Sequence, residues 1–237
     1  MTVDSRDGLQ RQLTLEVRLR DDATFDNFYL SDANRPPAEA ARAQAQPGGE
    51  PVIFMHGAPG SGKSHLLQAS CHRFGPGSLY LPLAQLVDYP PDQVLHSVER
   101  LDLVCLDDLH AVSGNGDWER GLFHLFNRAR ETGCALQFAA DTSPRLLSLR
   151  LADLRSRLSW AVVFKLAAPS DAEKAEILRF RASRRGLSLA PETAVFIVNR
   201  ASRSLDDLLA LLETLDRASL AEQRPLSIPF VKSILAW

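Results

Sequence analysis

No stretch of this sequence approaches the roughly 18 consecutive apolar residues that a membrane-spanning helix requires. The first residues are charged and polar, without the apolar core of a signal peptide. Both absences predict a cytoplasmic protein with no membrane partner. Cysteine is sparse: Cys71, Cys105 and Cys134 lie in predicted core elements and have no metal-ligand spacing. That argues against a disulfide scaffold and leaves free thiols suited to a reducing compartment. Basic residues are not in excess, 27 Lys and Arg against 29 Asp and Glu, which argues against an autonomous DNA-binding protein, a class that usually carries a basic face. No internal repeat is present. What remains is ordinary globular chain, 45% hydrophobic and 24% charged over 237 residues, enough for one large domain or two small ones.

Against that background one stretch stands out: Gly57-Ala58-Pro59-Gly60-Ser61-Gly62-Lys63-Ser64, which satisfies G-x-x-x-x-G-K-[ST] at every fixed position. The apolar run Val52-Ile53-Phe54-Met55 before it reads as a buried strand, and the run with Leu66, Leu67, Ala69 and Ser70 after it as a helix. Strand, glycine loop and helix together make a phosphate cradle. The glycines let backbone N–H groups turn inward, and the helix N-terminus adds its positive end. In this motif the lysine, Lys63, reaches the β- and γ-phosphates, and the hydroxyl of Ser64 serves Mg²⁺.

Further apolar runs follow: Leu79 to Leu83, Leu101 to Leu106 ending in Asp107-Asp108, Ala135 to Ala140 followed by Asp141, and Ala161 to Leu166. Between them, Asp92 is placed as the N-cap of a short helix to Arg100. Asp117 is placed as the cap of a longer one, in which Trp118, Leu122, Leu125, Phe126 and Ala129 keep helical spacing and Gly133 ends it. Leu151 to Trp160 reads as a further short helix. Alternation of strands and helices predicts a five-stranded parallel sheet flanked by helices. Ligands of such sheets bind outside the carboxyl ends of the strands, where the glycine loop, Asp107, Asp108 and Asp141 all fall. After Pro169 the pattern becomes helical only. Ser170-Asp171-Ala172-Glu173 is a capping box, and Pro191, Ser204 and Pro229 start three more helices. The chain thus divides into a tail (1–23), an α/β domain (24–168) and a small all-helical lid domain (169–237).

Several residues carry chemistry on this reading. Asp107, after four apolar residues, fits a Walker B carboxylate acting on the Mg²⁺ water shell, and Asp108 is placed to polarise an attacking water. Asp141 fits either a γ-phosphate sensor acting through water or an ordinary turn aspartate before Ser143-Pro144. Arg155 and Arg157, just before the last strand, fit either a finger supplied to a neighbouring subunit's nucleotide or surface ion pairs, and spacing alone does not choose. Arg179, Arg181, Arg184 and Arg185 read as a solvated helix face. The patch Gln12-Leu13-Thr14-Leu15-Glu16-Val17 fits an edge strand or a short partner-docking motif.

These residues add up to a resemblance. Thr24-Phe25-Asp26-Asn27-Phe28, Asn34, Gly60 through Ala69, Leu106-Asp107-Asp108 and Ser156-Arg157-Leu158-Ser159-Trp160 resemble the AAA+ ATPase domain of the bacterial replication initiator DnaA. The ending, Leu215 through Ser219 and Ile228 through Lys232, is similar to the Hda-type regulatory inactivators of DnaA, and no room is left for DnaA's DNA-binding domain. The resemblance implies a P-loop AAA+ core with a helical lid, and ADP or ATP with Mg²⁺ as cofactors. It implies two partners, DnaA and the sliding clamp (the β subunit of DNA polymerase III), with DNA contacted only indirectly and a homodimer left open. Asn34, Gly57, Pro59, Gly60, Ser61, Gly62, Lys63, Ser64, His65 and Asp141 become nucleotide-binding residues. Ser64 and Asp107 become the Mg²⁺ side, Asp107 partly through water, and Asp108 is assigned to catalysis. Arg157 becomes the finger acting in trans, and Gln12, Leu13, Leu15 and Val17 the clamp-binding motif. Two positions depart from the family pattern: Glu16 stands where such motifs often carry proline, and Asp206 where DnaA carries a phosphate-sensing lid arginine, with Arg203 close by. The implied role is stimulation of DnaA's ATP hydrolysis, with little or no hydrolysis by this chain alone. An autonomous DnaA-related helicase loader is the alternative; a small-molecule P-loop kinase is disfavoured by the lid and the arginine before the last strand.

Overall fold

The apolar runs become five strands: β1 (Val52–His56), β2 (Ser78–Pro82), β3 (Leu103–Asp107), β4 (Ala135–Ala140) and β5 (Val162–Lys165). In the computed structural model, which describes residues 18–201 and 204–237, they form one sheet in the order β2-β3-β4-β1-β5. Every pairing is parallel. Alternation across the sheet feeds two cores. Phe54, Val104, Leu106, Leu136 and Phe138 face one side, where the predicted stripe of Trp118, Leu122, Leu125, Phe126 and Ala129 on α5 (Gly116–Thr132) covers them. Ile53, Met55, Leu103, Cys105 and Ala139 face the other, against Ala38 and Ala41 of α1 (Arg35–Ala43) and Leu66, Leu67 and Cys71 of α2 (Lys63–Phe74). The three cysteines are free and buried. Gln137 is the polar exception in the middle of β4, fully buried; its amide donates to Gln44 Oε1 at 2.7 Å and Ser70 Oγ at 2.9 Å.

Two helix starts differ from expectation. The N-cap of α5 is Asn115, whose side chain accepts from the N–H groups of Asp117 and Trp118. Asp117 lies inside the first turn, where its charge suits the helix dipole. Asp92 caps nothing: α3 (Leu83–Leu86) is followed by α4, a single turn at Pro91–Val94 whose fixed proline supplies the start, and Ser97 in left-handed backbone breaks the chain before a 3-10 turn at Val98–Arg100.

The lid comprises α7 (Asp171–Arg184), α8 (Pro191–Arg200), α9 (Leu205–Glu222) and α10 (Ile228–Leu235) around Leu178, Ile197, Leu208, Leu212, Leu215 and Phe230. The capping box at Ser170 and Glu173 is formed in both directions. Residues 18–23, grouped by sequence with the tail, pack on the α/β body. Ala23 is fully buried, and α2 grips the segment from one face: Gln68 Oε1 accepts the Arg20 N–H at 2.9 Å, while His72 Nε2 and His65 Nε2 meet the carbonyls of Arg20 and Thr24 at 2.9 and 2.8 Å. Gln12, Leu13, Leu15, Glu16 and Val17 lie outside the described residues, as does Arg203. Among the described residues no helix is long and apolar enough to cross a membrane.

A buried carboxylate that sequence reading passed over organises one end of this body. Glu119 is 1% exposed, on the core face of α5. It accepts backbone N–H groups from Gly114 at 2.7 Å, Arg150 at 2.9 Å and Leu151 at 2.7 Å. It therefore fixes both the loop entering α5 and the turn entering α6 (Ala152–Leu158), the helix that carries Arg155 and Arg157. Glu119→Ala would orphan three donors, each costing about 1–3 kcal/mol when buried unsatisfied. Urea titration is expected to show a loss of at least about 3 kcal/mol, with Glu119→Gln losing less.

Candidate nucleotide-binding site

The site forms where β1, β3 and β4 end. β1 runs into the loop at Gly57, whose N–H donates to the Ala140 carbonyl at 3.3 Å and so ties the loop to the end of β4. At Gly62, φ is +95°, and a Cβ there would sit 2.8 Å from the Phe28 ring. Both the backbone conformation and the space demand glycine. The chain then enters α2 with the first-turn N–H groups of a twelve-residue helix opening on the cleft.

The cleft measures about 550 Å³. Its core-side wall includes Phe28, Tyr29, Asn34, Pro59, Gly60, Ser61, Gly62, Lys63, Ser64, His65, Asp108, His110 and Asp141; its lid-side wall includes Glu173, Ile177, Arg181, Leu205, Asp206 and Leu209. Of the expected nucleotide residues, Gly57 lies beneath this wall, as does Asp107, and the others line it. Asn34 holds the approach from one side: its Oδ1 accepts the Ser31 N–H at 2.9 Å and its Nδ2 donates to the Tyr29 carbonyl at 3.3 Å. That closes the turn presenting Tyr29. Asp141 caps no helix, since α6 begins only at Ala152; its carboxylate lies in the cleft, 3.9 Å from His110 Nδ1.

The donor set suits a polyanion. The ammonium of Lys63 rests on the carbonyls of Gly57 and Ala58 at 2.6 and 3.0 Å. Burial lowers its pKa, and the carboxylates of Asp107, Asp108 and Asp141 pull the other way. Ser61 Oγ is buried and has no hydrogen-bond partner among the described residues, an unmet polar atom in the middle of the loop. Asp108 sits in left-handed backbone at φ +54°, at the start of a 3-10 turn. Burial, then the neighbouring Asp107 charge, raises its pKa. The described residues form no self-sufficient metal cluster; a Mg²⁺ ion here would draw mostly on phosphate and water, with Ser64 and Asp107 at its side.

Comparison with known proteins places this geometry. Residues 171–235 match the family model of the Hda lid domain, and residues 84–165 that of the bacterial DnaA ATPase domain. An uncharacterized protein of Haemophilus influenzae is 40% identical over 231 residues, 96% of this chain and 99% of its own. Domain III of the Thermotoga maritima replication initiation protein DnaA superposes with a TM-score of 0.74 at 24% identity, covering 93% of this chain and 98% of that one. AMPPCP-bound DnaA from Aquifex aeolicus gives 0.68 at 21% identity, over 84% of this chain and 66% of its own. The chain belongs to the Hda/DnaA-related AAA+ family.

In this family member the lid is joined to the core by a residue expected to be solvated. Arg181 is 4% exposed, not part of an open basic face. Its guanidinium pairs with the Asp22 carboxylate and donates to the Asn27 carbonyl at 3.2 Å. Helical spacing had placed it with Arg184, yet the opposite wall of the cleft reaches it first. Nothing in the local sequence of α7 marks it. The residue at the lid arginine position, Asp206, does line the cleft, in the first turn of α9 beside Leu205. Arg157 lies outside the cleft. Its guanidinium stacks on the ring of Trp160 at 4.3 Å, with Arg130 near the same ring at 5.0 Å, and Trp160 is 56% exposed. Arg155, exposed on the same helix, donates to the Leu149 carbonyl instead.

His65 yields a pH prediction. Its Nε2 faces the Thr24 carbonyl and its ring packs on Phe28 at 5.3 Å. Burial lowers its pKa to about 4 from 6.5. The unfolded chain therefore takes up a proton near pH 6.5 that the folded protein refuses. This contribution to stability is intact above pH 6.5, falls as pH drops, and is fully lost near pH 4, by about 3 kcal/mol at 1.36 kcal/mol per unit. His56, lowered mainly by burial, acts with the same sign. In urea unfolding across pH 7 to 4, His65→Gln is expected to flatten most of the slope, leaving the part due to His56 and the carboxylates.

Proposed function

We propose that this protein is a nucleotide-bound AAA+ regulator that docks on the DNA-loaded sliding clamp and stimulates ATP hydrolysis by DnaA, restraining replication initiation. The observation that carries the reading is Arg157: it stands outside its own cleft, on an exposed aromatic platform, where it serves no group of its own chain's nucleotide site. An arginine offers a fixed cationic fork that pairs with phosphate oxygens. Charge builds on those oxygens as a γ-phosphate departs, so a cation arriving from outside stabilises the transition state more than the ground state. DnaA would supply the nucleotide that reacts, and this chain the finger.

The chain's own cleft would then hold ADP with Mg²⁺, in a structural rather than a catalytic role. Bound Mg²⁺ would supply neutralisation of phosphate charge. Lys63 would meet the β-phosphate, Ser64 and Asp107 would face the metal, and Tyr29 and Asn34 would border the base. Asp206 in the lid wall opposes an extra phosphate by like-charge repulsion. ADP is therefore expected to bind at least as tightly as ATP by calorimetry. Asp206→Arg, exchanging repulsion for a charge-assisted hydrogen bond of about 1.5–3 kcal/mol, should shift the preference toward ATP by about tenfold or more. Clear ATP preference in the unmodified protein would refute this account of the lid.

The reconstituted reaction tests the whole reading: single-turnover hydrolysis of ATP preloaded on DnaA, with clamp-loaded DNA present. Arg157→Ala should keep fold and ADP binding and lose the stimulation, a finger being worth about 10³–10⁵ in rate. Arg157→Lys should restore little, because a point charge lacks the fork. Arg155→Ala, which loses only the Leu149 contact, should still stimulate. Gln12→Ala with Leu13→Ala should remove clamp binding and the stimulation together while leaving ADP affinity intact. An Arg157→Ala protein that stimulates normally would eliminate the trans mechanism. Robust turnover by the isolated protein would favour the helicase-loader alternative.

A further inference from the structure

Asp107 is 1% exposed, yet both its oxygens are engaged. Oδ1 accepts its neighbour's backbone N–H, that of Asp108, at 2.9 Å. Oδ2 accepts the hydroxyl of Tyr80 at 2.7 Å. Tyr80 comes from the adjacent strand: β2 and β3 pair with Tyr80 opposite Cys105 and Pro82 opposite Asp107. The ring therefore reaches two residues forward along the sheet, on the face covered by α2. On the same face Gln68 of α2, 6% exposed, accepts the Arg20 N–H on its Oε1 at 2.9 Å.

A carboxylate has about four lone-pair directions, and one donor on each oxygen fixes the plane of the group and leaves about one lone pair on each. Mg²⁺ demands near-octahedral geometry and keeps several waters, so the acceptor of those waters has to be oriented in advance. We infer that Tyr80 is a positioning residue for the metal-side carboxylate Asp107. The inference rests on the Walker B reading of Asp107.

Calorimetric titration of the full-length protein with ADP, in EDTA and in Mg²⁺, separates the possibilities. Loss of a partner supporting a metal ligand typically costs about 10–100-fold in metal affinity. Tyr80→Phe keeps the ring and removes only the donor. It is expected to leave the Mg²⁺-free ADP affinity within about twofold of the unmodified protein and to cut the Mg²⁺ enhancement by about tenfold. Urea unfolding checks that Tyr80→Phe keeps its fold. Asp107→Asn is the reference and should remove the enhancement. If Asp107→Asn loses the enhancement while Tyr80→Phe keeps it, or if Tyr80→Phe weakens ADP equally with and without Mg²⁺, Tyr80 is not the positioning residue. If Asp107→Asn keeps the enhancement, the Walker B reading itself fails and this inference goes with it.

Discussion

A guanidinium at 4% exposure has to be paired, and the pair that satisfies Arg181 spans the two halves of the molecule. Desolvating an arginine costs several kcal/mol unless the geometry returns it. Asp22 and the Asn27 carbonyl return it here, and both belong to the segment gripped by α2. The lid helix, the N-terminal segment and the loop-bearing helix are therefore one mechanical unit. The cleft exists because that unit holds α7 and α9 over the glycine loop. Leu205 comes close enough that a Cβ on Gly60 would be 3.9 Å from its own. A nucleotide entering the cleft would touch groups on both sides of the Arg181 contact, so its binding energy would be felt along the segment that leads toward residue 17.

The carboxyl edge of the sheet has the opposite problem. Asp107, Asp108 and Asp141 converge there, and Lys63 is the lining ammonium that faces them. Burial, and after it the neighbouring like charge, raises the cost of ionising Asp108 here. The protein spreads the burden unequally. Asp107 is enclosed and given two donors, Asp108 is set at the wall in left-handed backbone, and Asp141 stays half-exposed beside His110. A bound cation with its phosphates would relieve all three at once, which is why the edge reads as a site rather than as a surface.

The parts of this fold legible in the sequence were those with a local period or a fixed spacing. The glycine loop, the strand runs, the α5 stripe and the capping box of α7 each carry their signal within a dozen residues. The parts that were not legible are contacts between distant segments. Arg181 looks like its neighbours in α7 until Asp22 is brought to it from 159 positions away. Glu119 sits among Asp117, Arg120 and other charged residues of α5 with nothing to mark it, and its three backbone partners lie in two separate loops. Tyr80 reads as one more strand aromatic, because its register against β3 is a property of the sheet. Cap assignment failed at Asp117 for a smaller reason: Asn115 and Asp117 are both good capping residues, and the turn at Gly114, at φ +85°, decides which one is reached first.

Arg155 and Arg157 show how little sequence separates a structural residue from an interaction residue. Two steps along a helix turn a side chain by about 200°, so the two arginines meet different neighbours. Which meets which is set upstream. Glu119 fixes the N–H groups of Arg150 and Leu151, that turn starts α6, and α6 then presents Arg155 to the Leu149 carbonyl and Arg157 to Trp160. The Trp160 platform holds its guanidinium weakly: an exposed cation–π contact is worth about 0.5–1 kcal/mol, whereas hydrogen bonds to a charged group are worth about 1.5–3 kcal/mol each. The arrangement keeps Arg157 available without leaving it unplaced, and that availability depends on a buried glutamate on another helix.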